Sequence, residues 1–269
     1  MDLGSALLLL PTGLAVGILG GFFGLGGGVL LIPALTLAIG SQPQLYQTTS
    51  FVVGACVAAA SLPRHRRAKS ICMPVVWRTI MASLPAGILL SLASNSVSSR
   101  AFEVAFACFL VYVAGYEIVS FRRASHHADN EHAPTPPLAW RCPAIGVAIG
   151  SLSGLLGIGG GTVAVPIFRI ALKLPIRQAV GTSAATILPT LLLAGATKLA
   201  SVANGAVADG GAPVTLSAVA TMSLMLAPTA ILGAQLGTHL LHRVSPRKAA
   251  LGFGLLLLVL AARMLGLFG

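Results

Sequence analysis

Ten apolar runs joined by short turns leave this chain one class of fold. They fall near residues 3–22, 25–40, 45–62, 71–93, 99–121, 140–157, 162–173, 178–203, 213–240 and 246–268. A helix of about 20 apolar residues spans the hydrocarbon core of a bilayer. Most of the runs approach that length, and only 25–40 and 162–173 are clearly short. Lipid offers no partner to backbone N–H and C=O groups, so only helices and closed barrels cross it. A barrel strand alternates apolar and polar residues, whereas these runs are continuous. The sequence therefore predicts an all-α, polytopic membrane protein. Composition agrees: 56% of residues are hydrophobic and 9% charged, a balance that a soluble domain of this size has too much wet surface to hide. A soluble enzyme, a nucleic-acid-binding domain and a disordered tail are excluded. The expected partner is the lipid bilayer, not nucleic acid.

One hydrophilic stretch, Phe121 to Leu138, interrupts the pattern and divides the chain almost in half. It carries charges, histidines and a Pro-rich end, and reads as a linker. The expected organisation is a first membrane repeat over 1–121, a cytoplasmic linker over 122–138 and a second repeat over 139–269. The halves do repeat. GILGGFFGLGGGVLLIPAL at 17–35 matches GSLSGLLGIGGGTVAVPIF at 150–168 at 8 of 19 positions, with an offset of 133. The same offset carries Thr49-Ser50 onto Thr182-Ser183 and His65 onto Lys198. Internal duplication of this kind marks many secondary transporters.

Charge selects the topology. If each glycine-rich region crosses once, the Lys/Arg tally is 9 on one side and 7 on the other. If the chain turns back at each glycine break, 13 cations share one face and 3 the other. The positive-inside rule prefers the second arrangement. It makes the two halves inverted, with both termini outside and the 122–138 linker in the cytoplasm. Each half is then a Gly-broken helix and half-helix followed by three transmembrane helices. Parity alone leaves open whether each break is re-entrant or joins two full crossings.

The breaks carry the strongest chemical signal. Gly26-Gly27-Gly28 and Gly159-Gly160-Gly161 place consecutive glycines inside apolar segments. Each glycine weakens a helix by about 1 kcal/mol relative to alanine. Broken backbone at membrane depth persists only where protein buries it or where it lines a wet cavity. The helix that restarts after each break aims free N–H groups and a positive dipole end at it. Two such ends converging make an anion site. By contrast Gly13, Gly17, Gly21 and Gly146, Gly150, Gly154 are spaced by four, the small-residue pattern of packed membrane helices. Those faces also suit a homodimer, unless one chain uses them internally.

Thr49, Ser50, Thr182 and Ser183 supply neutral hydroxyl donors that suit an oxyanion, or bond their own helix backbone. Lys198 is an ionisable residue within an apolar run and so a functional candidate by default; its place near the outer end also suits snorkelling to the interface. Arg78 follows a basic loop and invites the same reading. Gln235 is a candidate polar lining residue. No paired acids, nucleophile–base pair, nucleotide fingerprint or metal-ligand spacing is present, and the four cysteines are scattered singly. The chain is thus expected to be neither an enzyme nor a metalloprotein, and to need no cofactor.

The duplicated G-x-x-G-x-G-G-G with its following Pro33 and Pro166, and the small-Thr-Ser element after each, resemble the TauE/SafE-type sulfite exporter family, also called the toluene-sulfonate uptake permease group. The resemblance covers nearly the whole chain. It implies a secondary transporter, expected to export sulfite, an organosulfonate such as sulfoacetate, or another small sulfur-containing anion across a bacterial inner membrane. Gly181-Thr182-Ser183 fits the family pattern directly, whereas the first copy has Thr48 in place of Gly181. A passive anion channel and a non-transporting membrane assembly or scaffold protein are the rival classes.

Overall fold

The computed structural model describes residues 3–23, 28–123, 140–240 and 246–266. Two successions of five helices fill them. The first is α1 (Leu3–Phe23), α2 (Gly28–Ile39), α3 (Pro43–Arg67), α4 (Met73–Ala93) and α5 (Ser99–Arg123), with a 3₁₀ turn at Ser94–Ser96. The second is α6 (Arg141–Leu156), α7 (Gly161–Ala171), α8 (Ile176–Ala203), α9 (Leu216–Leu240) and α10 (Pro246–Met264). A small antiparallel hairpin, β1 (Ala208–Asp209) and β2 (Ala212–Pro213), lies between α8 and α9. The protein is all-α apart from that hairpin, and polytopic. Within the described residues, α3, α4, α5, α8 and α9 are each long and apolar enough to cross a membrane. Proline opens α3 and α4 in their first turn, where its missing N–H is no loss. Most of the 122–138 linker lies outside the described residues.

The chain does turn back at the second glycine break. Arg141 Nη1, at the start of α6, donates to the carbonyl of Ala171, at the end of α7, at 3.3 Å. Both helices therefore begin and end this excursion on one face. At 1.5 Å per residue, α6 is roughly 24 Å long and α7 roughly 17 Å, each short of a core about 30 Å thick. The chain thus reverses direction between two short helices. In the first half the arms are less equal: α1 has 21 residues and α2 has 12.

The helices pack in reciprocal pairs. Helix α1 lies on α9, and its counterpart α6 lies on α4; α3 packs on α8 and α5 on α10. The four-spaced glycines make the first two contacts, as their spacing predicts. A Cβ on Gly17 would fall 2.8 Å from Ala230 Cα, and one on Gly21 2.6 Å from Ala234 Cα. On the other seam, a Cβ on Gly150 would fall 2.8 Å from Ser83 Cα, and one on Gly154 3.0 Å from the Gly87 carbonyl carbon. Backbone meets backbone along both seams, which maximises dispersion contact where lipid removes any hydrophobic drive. These glycine faces are used inside one chain. The remaining core is aliphatic and aromatic, with Tyr46, Phe51, Phe102 and Phe106 buried.

Candidate functional site

The second glycine break is fully buried. Helix α6 ends at Leu156, and Gly157, Gly159 and Gly160 all take left-handed φ values of 69°, 75° and 66°, a region that glycine enters without penalty. Gly160 then caps α7, its carbonyl accepting from the N–H groups of Val163 at 3.1 Å and Ala164 at 2.7 Å. The N–H groups of Gly161 and Thr162 have no backbone partner among the described residues. Two hydroxyls stand by them. Thr162 Oγ1 and Ser153 Oγ are buried and lack any hydrogen-bond partner among the described residues, and Ser153 borders Gly160, 3.6 Å from where its Cβ would be. The start of α7 is thus a buried cluster of unused donors with a positive dipole end.

Helix α3 closes the other side. Ser50 Oγ donates to the Gly157 carbonyl at 2.7 Å, and Gln47 Nε2 donates to the carbonyls of Gly154 at 3.1 Å and Leu155 at 2.6 Å. These bonds satisfy carbonyls at the C-terminal end of α6 that would otherwise be orphaned. Gly28, the first residue of α2, sits against the same place: a Cβ there would lie 2.7 Å from Ser50 Oγ and 3.0 Å from the Ile158 carbonyl. The start of α2 and the second break therefore touch, with Ser50 between them.

The structure thus sets Gly28 and Ser50 against Gly157 and Ile158, at the start of the break that continues through Gly159, Gly160 and Gly161. Gly26 and Gly27 lie outside the described residues. Thr49 Oγ1 and Ser183 Oγ are buried without a partner among the described residues. Thr182 Oγ1 instead accepts the N–H of Cys72 at 3.0 Å, tying α8 to the loop before α4. Arg78 and Gln235 are exposed on α4 and α9, so neither lines a buried break.

Lys198 does not snorkel. Its side chain is wholly buried, and its ammonium donates to Gln44 Oε1 at 2.6 Å, Asn95 Oδ1 at 2.7 Å and Ser94 Oγ at 2.8 Å. All three donors of the ammonium are matched by neutral oxygens. Ser94 Oγ is also within hydrogen-bond reach of Gln47 Oε1, at 3.2 Å. A buried polar track therefore runs from Lys198 through Ser94 and Gln47 to the end of α6.

Asp209, in the hairpin, completes this end. Its carboxylate accepts the backbone N–H groups of Gln44 at 3.0 Å and Leu45 at 2.9 Å. It caps α3, whose own cap residue Gln42 offers no side-chain bond. Burial pushes the Asp209 carboxyl above the usual carboxylate range, and the two N–H bonds and the Lys198 charge oppose that rise. Replacing Asp209 with alanine should destabilise the purified protein by about 1–2 kcal/mol, the ordinary worth of a helix cap. An unchanged melting temperature would refute the capping role.

Sequence reasoning missed Gln44, Gln47, Ser94, Asn95 and Asp209. A signal existed for Asp209, one of only six acidic residues in the chain. The amides carried none, because their role depends on which helix end meets which loop.

The matrix of known proteins agrees with this architecture. The family model described as "Sulfite exporter TauE/SafE" matches residues 9–264. A probable membrane transporter protein of Methanocaldococcus jannaschii is 36% identical over 200 residues, 67% of this chain and 69% of its own. One from Haemophilus influenzae is 31% identical over 194 residues, covering 66% of this chain and 67% of its own. One from Xylella fastidiosa is 27% identical over 268 residues, covering 97% and 95%. No solved structure matches. The family and these relatives are membrane transporters, not enzymes. With the duplicated glycine breaks, the chain reversal between α6 and α7 and a family match over almost its full length, this chain belongs to the TauE/SafE sulfite exporter family of multi-pass membrane proteins.

Proposed function

We propose that the protein exports sulfite or an organosulfonate such as sulfoacetate across the inner membrane, by alternating access around the two glycine breaks. In this reading 1–121 and 139–269 are inverted repeats, with both termini outside and the basic loops in the cytoplasm. The observation that carries it is the start of α7. The N–H groups of Gly161 and Thr162 and the hydroxyls of Thr162 and Ser153 are buried without a partner among the described residues, in the break whose Ile158 carbonyl meets a second helix start at Gly28. Buried donors without partners cost about 1–3 kcal/mol each, and an oxyanion would repay that. Neutral donors hold a sulfur oxyanion without the tight grip of a fixed charge, so release remains fast. Thr49 and Ser183, whose buried hydroxyls also lack a partner among the described residues, complete the proposed lining.

The test is purified protein in liposomes offered sulfite, sulfate, sulfoacetate, taurine and chloride, with and without a pH gradient. Selective, saturable flux of sulfite or sulfoacetate is the expected outcome. Equal flux of every anion would replace the carrier with a channel, and absence of flux for all of them would overturn the reading.

A further inference from the structure

We propose that Lys198 is the latch that closes one end of the transport path, and that an anion passes that end only when the ammonium leaves its cage. This rests on the anion-transport reading above. Lys198 belongs to α8, in the second half of the chain, and all three of its acceptors belong to the first half. Gln44 stands in the first turn of α3, and Ser94 and Asn95 in the turn after α4. One side chain thus pins the end of α8 to the start of α3 and to the turn after α4. The hairpin that follows α8 adds a second tie at the same end, through Asp209 to the α3 N-terminus. One helical turn further in, Ser91 Oγ donates to the Ala194 carbonyl at 3.0 Å and is buried behind the latch.

The opposite end of the same helix pair is built differently. A cleft of about 360 Å³ opens there between α3 and α8, lined by Ala59, Leu62, Pro63, Arg66, Arg67 and Leu188. The residue in register with Lys198 at that end is His65, whose ring reaches Ser70 Oγ of its own half at 3.3 Å and no other side chain among the described residues. The pair is thus tied together at the Lys198 end, while a basic surface cleft lies along the C-terminal half of α3.

The chemistry of the cage explains why an anion would release it. Three neutral oxygens hold the ammonium, and Asp209 acts on it only through space, with no ion pair between them among the described residues. Drawing the end of α8 away from α3 and the turn after α4 strips those oxygens from a buried cation, which is costly unless another group compensates the charge. An arriving anion does so directly. The latch then opens in step with the cargo rather than leaking.

The test uses the full chain with Cys56, Cys72, Cys108 and Cys142 replaced by serine and a reporter introduced as Ser91→Cys. A hydrophilic maleimide reads how often the latched end opens. Adding Lys198→Met should speed labelling by about tenfold, because removing the ammonium shifts the population toward the open form. Asn95→Ala, which removes one acceptor from a half-exposed turn and leaves the fold intact, should speed it by roughly threefold by the same shift. In liposomes, sulfite flux through the Lys198→Met protein should fall by about tenfold or lose saturation. Labelling that is unchanged in both variants would overturn the latch, as would lost flux with unchanged labelling, which would make Lys198 a ligand only. If the unsubstituted protein carries no sulfite while labelling responds as expected, the latch stands and the choice of substrate falls.

Discussion

Gly160→Val is expected to lower sulfite flux by about a hundredfold while the protein still inserts and purifies. The residue caps α7 with a φ of 66°. A β-branched side chain there costs on the order of 1–2 kcal/mol for the left-handed backbone alone. Its Cβ would also press to 2.9 Å from Ile149 Cγ2, a methyl group that can yield a few tenths of an ångström. The global penalty is therefore modest. The local one is not, because relieving the strain swings the N–H groups of Gly161 and Thr162 away from the point where α2 and α7 begin. Two lost hydrogen bonds to a charged ligand, at about 1.5–3 kcal/mol each, suffice for the stated loss. Gly160→Ala should fall between the two. Wild-type flux in Gly160→Val, at normal abundance, would sink the idea that this break binds the cargo.

Gly150→Leu should do the opposite: it should remove folded protein rather than slow it. Its Cβ would sit 2.8 Å from Ser83 Cα, and backbone has nowhere to go. To admit a side chain, α6 must move off α4 along the whole seam, which also separates Gly146 and Gly154 from Thr79 and Gly87. A loss of about 3 kcal/mol or more follows, at the upper end of overpacking penalties. The readout is the yield of monodisperse protein and its melting temperature in detergent. The equivalent change at Gly17, against Ala230, should behave alike because α1 meets α9 in the same way. A stable Gly150→Leu protein with lost flux would instead place this glycine in the transport path. The two substitutions together separate glycines that break helices from glycines that join them.

That distinction was already legible in the chain. Consecutive glycines deny a helix its propensity, while glycines four apart lie on one face of an intact helix; both readings use only local rules. The same holds for the helix boundaries, since apolar length and polar turns are properties of contiguous residues. The runs near 99–121 and 178–203 lie within two residues of α5 and α8 at each end. Parity of the cations also implied that the chain turns back at each break, and the Arg141–Ala171 bond shows it for the second. Tertiary structure decided the polar interior. Whether Lys198 reached water or a cage depended on Gln44, Ser94 and Asn95, more than a hundred residues earlier, arriving at the same end of the bundle. Nor does anything local to Ser50 or Gln47 reveal that their partners are the last carbonyls of α6. Hydropathy and propensity are summed along the chain, whereas the fate of a buried polar group is set by which distant donor or acceptor the packed helices bring within 3 Å of it.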